Sequence, residues 1–139
     1  MLALEPAGLL LGRWLLAVLF LHEAWIKLSN FEGAVRYSEA HGVPGLLLPA
    51  AIALELGGGL LIVVGLATRA LAFLLAGFCV VTAALFHVTF SEPGELLHFE
   101  KDLAIAGGFL VLCCRGAGAW SVDRVLDASR RRRQTAANA

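Results

Sequence analysis

Seven ionisable side chains lie inside long apolar stretches of the sequence, where charge is costly. They are His22, Glu23, Lys27, Glu55, His87, Lys101 and Asp102. A charged side chain at the centre of a bilayer costs about 2.5–3.5 kcal/mol on insertion scales, so such residues normally face a bundle interior and pair with one another. Lysine, histidine and carboxylates are also the groups that exchange protons with a bound ligand. We expect these residues to form a ligand-binding or proton-relay site.

The spacing of these residues indicates which of them meet. Glu23 and Lys27 are four residues apart, which places an acid and a base on one face of a helix. Glu55 has no charged neighbour in its own apolar stretch, so its partner must come from another helix, and Lys27 or Lys101 is the natural candidate. A protonated Glu55 is the alternative, because burial disfavours a charged carboxylate. A network of ion pairs that only fixes helix register is the alternative role for the whole set.

Small and aromatic residues accompany the polar set. A run of three glycines begins two residues after Glu55, and such residues ordinarily let membrane helices approach closely. The functional alternative is a thin helix wall that makes room for a flat ligand, with a lining of Gly58, Gly59, Trp25 and Phe86. The histidines and carboxylates are suitable metal ligands, but two lysines nearby oppose a cation. We therefore expect no metal site.

The composition indicates a membrane protein. Of the 139 residues, 59% are hydrophobic and 16% are charged, whereas a soluble domain usually carries about 25% charged residues. The mean hydropathy is +0.79. Basic and acidic residues balance to a net charge of zero, and no basic face exists outside the C-terminal arginines. A nucleic-acid partner is therefore not expected.

Four apolar stretches are each close to the roughly 20 residues that cross about 30 Å of hydrocarbon. They predict an all-α bundle of four transmembrane helices within residues 1–128, at about 7–28, 46–66, 69–90 and 96–114. The polar segment between the first two has room for a short surface helix at about 33–41. After a short helix near 122–128, residues 129–139 are expected to form a disordered, Arg-rich tail.

Basic residues orient the predicted bundle. They cluster on the side that holds the turn between helices two and three and the C-terminus: Arg69, Arg115, Arg124 and Arg130 to Arg133. By the positive-inside rule, both termini are cytoplasmic. The seven ionisable residues then lie in the outer half of the bundle, and Arg13, in the inner half, is expected to snorkel to cytoplasmic headgroups. A lipid-binding or nucleic-acid-binding tail is the alternative interpretation of the arginine run.

The four segments, taken in order, resemble the DoxX family of small bacterial membrane proteins. The resemblance covers about residues 9–123, and its main motifs are Lys27-Leu28, Glu55 followed by Gly57 to Gly59, Phe86-His87 and Lys101-Asp102. The sequence departs from the family pattern at His22, Glu23 and Ala24, where small or apolar residues are common.

The resemblance implies a bacterial inner-membrane location and a role in an oxidoreductase system, because family members are associated with quinol oxidases and thiosulfate:quinone oxidoreductases. It makes the chain a membrane subunit, with quinone as candidate ligand and an oxidoreductase as candidate partner protein. No haem, flavin or iron–sulfur motif is present, so we expect no covalently bound cofactor and electrons would have to come from the partner. The alternatives are a small-molecule transporter, which would need a homo-oligomer, and a structural assembly partner.

Overall fold

A computed structural model describes residues 4–137, which form six α-helices and no strand. The helices are α1 Leu4–Ser29, α2 Phe31–Ala40, α3 Leu48–Val64, α4 Thr68–Phe86, α5 Glu95–Arg115 and α6 Val122–Ala137. One turn of 3-10 helix, Gly45–Leu47, precedes α3. We refer to the end of the bundle where α1 ends and α3 begins as the α2 end, and to the opposite end, where α6 begins, as the α6 end.

Three segments are long and apolar enough to cross a membrane by length and composition: Leu4–Ser29, Gly45–Val64 and Thr68–Phe86. Their outward faces carry exposed large apolar side chains such as Leu15, Leu60 and Phe73. A water-soluble monomer rarely exposes such continuous apolar surface, so lipid is the fitting environment. The predicted fourth span corresponds to α5, which is not in this set because it holds three consecutive charged residues, 100–102.

Four long helices pack in a ring. The α4–α5 and α1–α3 contacts are the most extensive, and smaller α3–α4 and α1–α5 contacts close the ring. The core between them contains Phe20, Ile62, Leu75 and Phe109. The rings of Phe20 and Phe109 meet edge to face with centroids 5.3 Å apart, so α1 and α5 are joined through the core. The short helix α2, predicted at 33–41, lies over the α1–α3 contact.

Helix boundaries agree with the predicted spans to within a few residues, and the differences have local causes. The second span begins at Leu48 rather than 46, with Pro49 in its first turn. It ends at Val64 rather than 66, because the next residue, Gly65, has a φ of 71°, the left-handed conformation that glycine adopts most easily. The third span ends at Phe86 rather than 90, because the backbone of His87 has a φ of −126° and a ψ of 41°, which do not continue a helix.

The predicted disordered tail is helical as far as the structure describes it. Helix α6 continues to Ala137, and residues 138–139 lie outside the described range. The Ser121 hydroxyl accepts a hydrogen bond from the Arg124 N–H and so caps the first turn. Arginine and alanine favour helix formation, and this preference outweighs the repulsion within the run of four arginines.

The expectation that Arg13 snorkels to headgroups is wrong. Its side chain is 2% exposed and donates three hydrogen bonds to backbone carbonyls. Nη1 bonds the oxygen of Ala117 at 2.6 Å, and Nη2 bonds the oxygens of Val63 at 3.2 Å and Trp120 at 2.9 Å. Val63 lies in the last turn of α3, where carbonyls lack helical partners and the helix dipole is negative. Arg13 therefore ties α1, α3 and the segment after α5 together at the α6 end.

Asp123 anchors the start of α6 to the turn between α3 and α4. Its carboxylate accepts hydrogen bonds from the N–H groups of Ala67 and Thr68 at 2.8 and 2.9 Å, and its own N–H bonds the oxygen of Gly65 at 2.9 Å. Burial by itself raises the pKa of Asp123, but these hydrogen bonds and the charge of Arg13 outweigh burial and hold that pKa below its ordinary value. The carboxylate thus caps α4 from outside that helix.

We expect Asp123→Ala to lower the free energy of unfolding by about 1 kcal/mol, the usual cost of a lost helix cap. Asp127→Ala, one turn later on α6, is the matched control and should unfold like the wild type. The carboxylate contributes fully above its unfolded-state pKa of about 3.9 and loses its contribution as the pH falls through its lower folded-state pKa. The measurement is thermal unfolding in detergent from neutral to acid pH. Equal unfolding temperatures for the two variants at neutral pH would contradict the cap.

Candidate functional site

Lys27 is the centre of a polar cluster that joins α1 to α3. Its ammonium donates to both carboxylate oxygens of Glu55, at 2.8 and 3.0 Å, and to Oε2 of Glu23 at 3.2 Å. The predicted Glu23–Lys27 pair is therefore present, and of the two candidate partners for Glu55 the structure selects Lys27. We refer to Glu23, Lys27 and Glu55 as the Lys27 cluster.

Helix geometry explains why these side chains meet. The helices α1 and α3 are antiparallel, since Arg13 contacts Val63 at one end and Lys27 contacts Glu55 at the other. Side chains on a helix tilt toward its N-terminus. Lys27 therefore points from the α2 end into the bundle, while Glu55, about 10 Å along α3 at 1.5 Å per residue, points back toward the α2 end.

Exposure rises stepwise across the Lys27 cluster. The Glu55 side chain is 3% exposed, Lys27 24% and Glu23 47%. An ammonium has three protons, and here each meets a carboxylate oxygen, so Lys27 has no free donor and both oxygens of the buried Glu55 accept a hydrogen bond. One cation faces two carboxylates, so the cluster has capacity for one further proton. A polar path from the bundle interior to its surface can exchange protons with a group that reaches Glu23.

A second polar cluster joins α4 to α5 at the α2 end. Nδ1 of His87 lies 2.9 Å from Oε2 of Glu95, and the rings of His87 and His98 stack with centroids 5.1 Å apart. One turn deeper, the Thr82 hydroxyl bonds Oδ2 of Asp102 at 3.4 Å. Asp102 and His87 therefore belong to this second cluster. Within residues 4–137, no hydrogen bond or ion pair connects it to the Lys27 cluster.

Aromatic side chains cover the α2 end next to the second cluster. The ring of Phe86 stacks on Tyr37 of α2 at 5.6 Å between centroids and also meets His41 at 5.3 Å. Partial burial and the nearby Glu95 carboxylate raise the pKa of the Tyr37 hydroxyl. Phe86 therefore packs α2 against the end of α4.

Several predicted site residues lie apart from both clusters. Lys101 and His22 are exposed, and within the described residues neither forms an ion pair. Trp25 is 69% exposed on the outer surface of α1 and so does not line the Lys27 cluster. A surface tryptophan of this kind suits a membrane interface.

The glycines beside Glu55 serve packing. A Cβ at Gly58 would lie 3.3 Å from Leu75, and one at Gly59 would lie 2.9 Å from Leu21. These leucines fill the space beside both glycines, so the structure has no open space there for a flat ligand. Close approach of α3 to α1 and α4 is the physical reason for glycine here.

Glu95 and Thr82 are polar partners that were not predicted from the sequence. Glu95 lies just outside the predicted span at 96–114, but it begins α5 and faces His87 across the short connection. Its position directly after the turn dipeptide Pro93-Gly94 could have suggested that a helix begins there and faces the end of the preceding one. Thr82 gave no signal, because a lone threonine in an apolar helix usually bonds a carbonyl of its own helix, as it also does here. No group of three or more metal-ligating residues occurs in the described part of the chain.

Comparisons with known proteins identify the family of the chain. The profile of the DoxX family matches residues 8–88, which include the whole Lys27 cluster. The chain is 48% identical over 124 residues to the Escherichia coli inner membrane protein YqjF, a match that covers 89% of this chain and 95% of that protein. It is 35% identical over 129 residues to the E. coli inner membrane protein YphA, covering 88% and 92%. No solved structure matches the chain.

We expect Lys27→Met to lower the free energy of unfolding by about 3 kcal/mol, because it leaves the buried Glu55 carboxylate without its partner. Lys101→Met is the matched control and should change stability by no more than about 0.5 kcal/mol. The double variant Lys27→Met/Glu55→Met removes both charges together and should recover most of the loss. Thermal unfolding in lipid nanodiscs measures all three variants. A double variant no more stable than Lys27→Met would show that the two side chains do not act as a pair.

Proposed function

The chain belongs to the DoxX family and is an inner-membrane protein, and from this premise we propose that it is a membrane subunit of an oxidoreductase system. In this proposal the Lys27 cluster binds the head group of a quinone and exchanges protons with it. The observation that supports it is the position of Lys27, whose ammonium links a buried carboxylate to a half-exposed one.

The proposed topology has four spans, with α5 as the fourth and both termini in the cytoplasm. The outward face of α5 carries exposed Leu103, Leu110 and Val111, like the faces of the three apolar spans. Lys101 lies about 9 Å from the start of α5 at 1.5 Å per residue, so its ammonium can snorkel to the headgroups at the α2 end. The α2 end is then the outer side, and the arginines of α6 lie inside.

The described residues offer a quinone a place at the bundle surface. The side chains it can reach are those of Lys27, 24% exposed, and Glu23, 47% exposed. Leu21 and Leu75 occupy the space beside Gly59 and Gly58, so a ring would meet the cluster from the lipid side. A carbonyl oxygen can replace the Glu23 carboxylate on Lys27, because that bond, at 3.2 Å, is the longest of the three.

Each residue of the Lys27 cluster then has a task. Lys27 donates a hydrogen bond to the ligand carbonyl, and Glu55 keeps the ammonium charged and aimed toward the surface of α1. Glu23, once displaced, is free to take up or release a proton at the bundle surface. A bound quinone supplies the redox chemistry, with electrons coming from a partner protein.

A second candidate function is that of an assembly partner in which the cluster only fixes helix register. The bidentate contact between Lys27 and Glu55 favours it, because every donor of Lys27 is already used. A single interhelical pair suffices to set the register of α1 against α3.

We expect a fusion after Ala139 to be fluorescent and to lack phosphatase activity, because the C-terminus is in the cytoplasm. A fusion in the connection between α4 and α5, at residues 88–93, should have phosphatase activity and no fluorescence, because that connection is outside. Paired alkaline phosphatase and fluorescent protein fusions measure this. A cytoplasmic connection together with a cytoplasmic C-terminus would exclude α5 as a span.

We expect wild-type protein purified from native membranes to retain quinone at a higher ratio than the surrounding phospholipid does. The double variant Lys27→Met/Glu55→Met should retain roughly ten- to a hundred-fold less, the value of one lost charge-assisted hydrogen bond. Lys101→Met is the control and should retain quinone like the wild type. Mass spectrometry of the co-purified lipids is the measurement.

Equal retention by the wild type and a folded double variant would contradict the quinone site. If neither retains quinone and the double variant keeps its fold, the assembly function replaces it.

A further inference from the structure

Helix α6 has an apolar side that no other helix covers in the described range. Val122, Val125, Leu126 and Ser129 follow one another at intervals of three or four residues and therefore share one face. Val122, Val125 and Leu126 are all exposed, as is Trp120 just before the helix. An exposed apolar surface of this kind normally contacts another protein or a membrane rather than water.

The start of α6 is held at the level where two membrane spans turn. The N–H of Asp123 bonds Gly65, and its carboxylate bonds Ala67 and Thr68, the residues that connect α3 to α4. Both helices are apolar enough to cross the bilayer, so this turn lies at its surface. The first turns of α6 therefore begin beside the lipid headgroups. Asp123 lies on the side of α6 that faces the turn between α3 and α4. The apolar residues lie on another side of the helix, which is exposed.

The charge of α6 complements an anionic surface. Four consecutive arginines, 130–133, follow Asp127, and no acidic residue occurs after it. Arg132 and Arg133 lie three and four residues beyond Ser129, so they continue along the apolar side. Basic groups at the edge of an apolar helix face can bond phosphates while the apolar side chains enter the interface.

We propose that α6 lies on the membrane surface and binds anionic phospholipid headgroups through its arginine run, above all through Arg132 and Arg133, with Val122, Val125 and Leu126 in the interface. Charge complementarity selects lipid over a second copy of the chain, because two arginine runs would repel each other. Lipid binding by α6 does not depend on the function of the Lys27 cluster at the opposite end of the bundle.

The test places an environment-sensitive NBD fluorophore on α6 of the full-length protein. In a background with Cys79→Ala, Cys113→Ala and Cys114→Ala, the probe is attached at Leu126→Cys on the apolar side or at Thr135→Cys on the opposite side. The protein is reconstituted into vesicles of phosphatidylcholine alone or with phosphatidylglycerol. We expect a blue shift at position 126 but not at 135, larger with phosphatidylglycerol and reversed by salt.

Replacing the run, R130Q/R131Q/R132Q/R133Q, should remove the dependence on phosphatidylglycerol. About 1 kcal/mol per basic residue corresponds to a roughly five-fold loss in the attachment equilibrium for each arginine. Similar emission from positions 126 and 135 in both vesicles would overturn the proposal, because α6 would then project into water. A blue shift that changes with the protein-to-lipid ratio but not with the lipid charge would also overturn the proposal. It would indicate that a second copy of the chain binds the apolar side.

Discussion

The cost of an unpaired charge in hydrocarbon is the constraint on which the arrangement of this bundle depends. Glu55 is almost fully buried in a span of high hydropathy, and Lys27 reaches it from the antiparallel helix. Neither residue is tolerable there alone, so the pair fixes the register of α1 against α3. The glycines that follow Glu55 then let the two helices approach closely enough for the contact.

The same requirement operates at the opposite end of the bundle, but there the partners are backbone groups. Arg13 satisfies carbonyls at the end of α3 and in the segment after α5, and Asp123 satisfies N–H groups at the start of α4. The end of α3 and the start of α4, which would otherwise present unpaired backbone groups near lipid, are thus covered by side chains from elsewhere in the chain. The bundle is therefore held by polar contacts at both ends and by apolar packing between them.

The helices and the Lys27 cluster could be predicted from sequence because both follow from local rules. Apolar length predicts a span, and four-residue spacing predicts the Glu23–Lys27 pair. Burial of Glu55 without a charged neighbour limited its partners to two lysines. The role of Arg13 could not be predicted, because its partners are carbonyls far away in sequence, and every residue has a carbonyl. The helical state of the arginine run was not predicted, because the segment is polar and its helix depends on helix propensity and the Ser121 cap rather than on apolar periodicity.

The polar residues of the α2 end divide into two clusters with different consequences. Asp102 and His87 stabilise the contact between α4 and α5, whereas the Lys27 cluster reaches from the interior to the surface. The central claim is that Glu55 is ionised and paired with Lys27 within the membrane. Infrared difference spectra between the wild type and Glu55→Gln in proteoliposomes test this most directly. We predict that the wild type shows a carboxylate stretch that the variant lacks. A protonated carboxyl carbonyl band in its place would contradict the pairing.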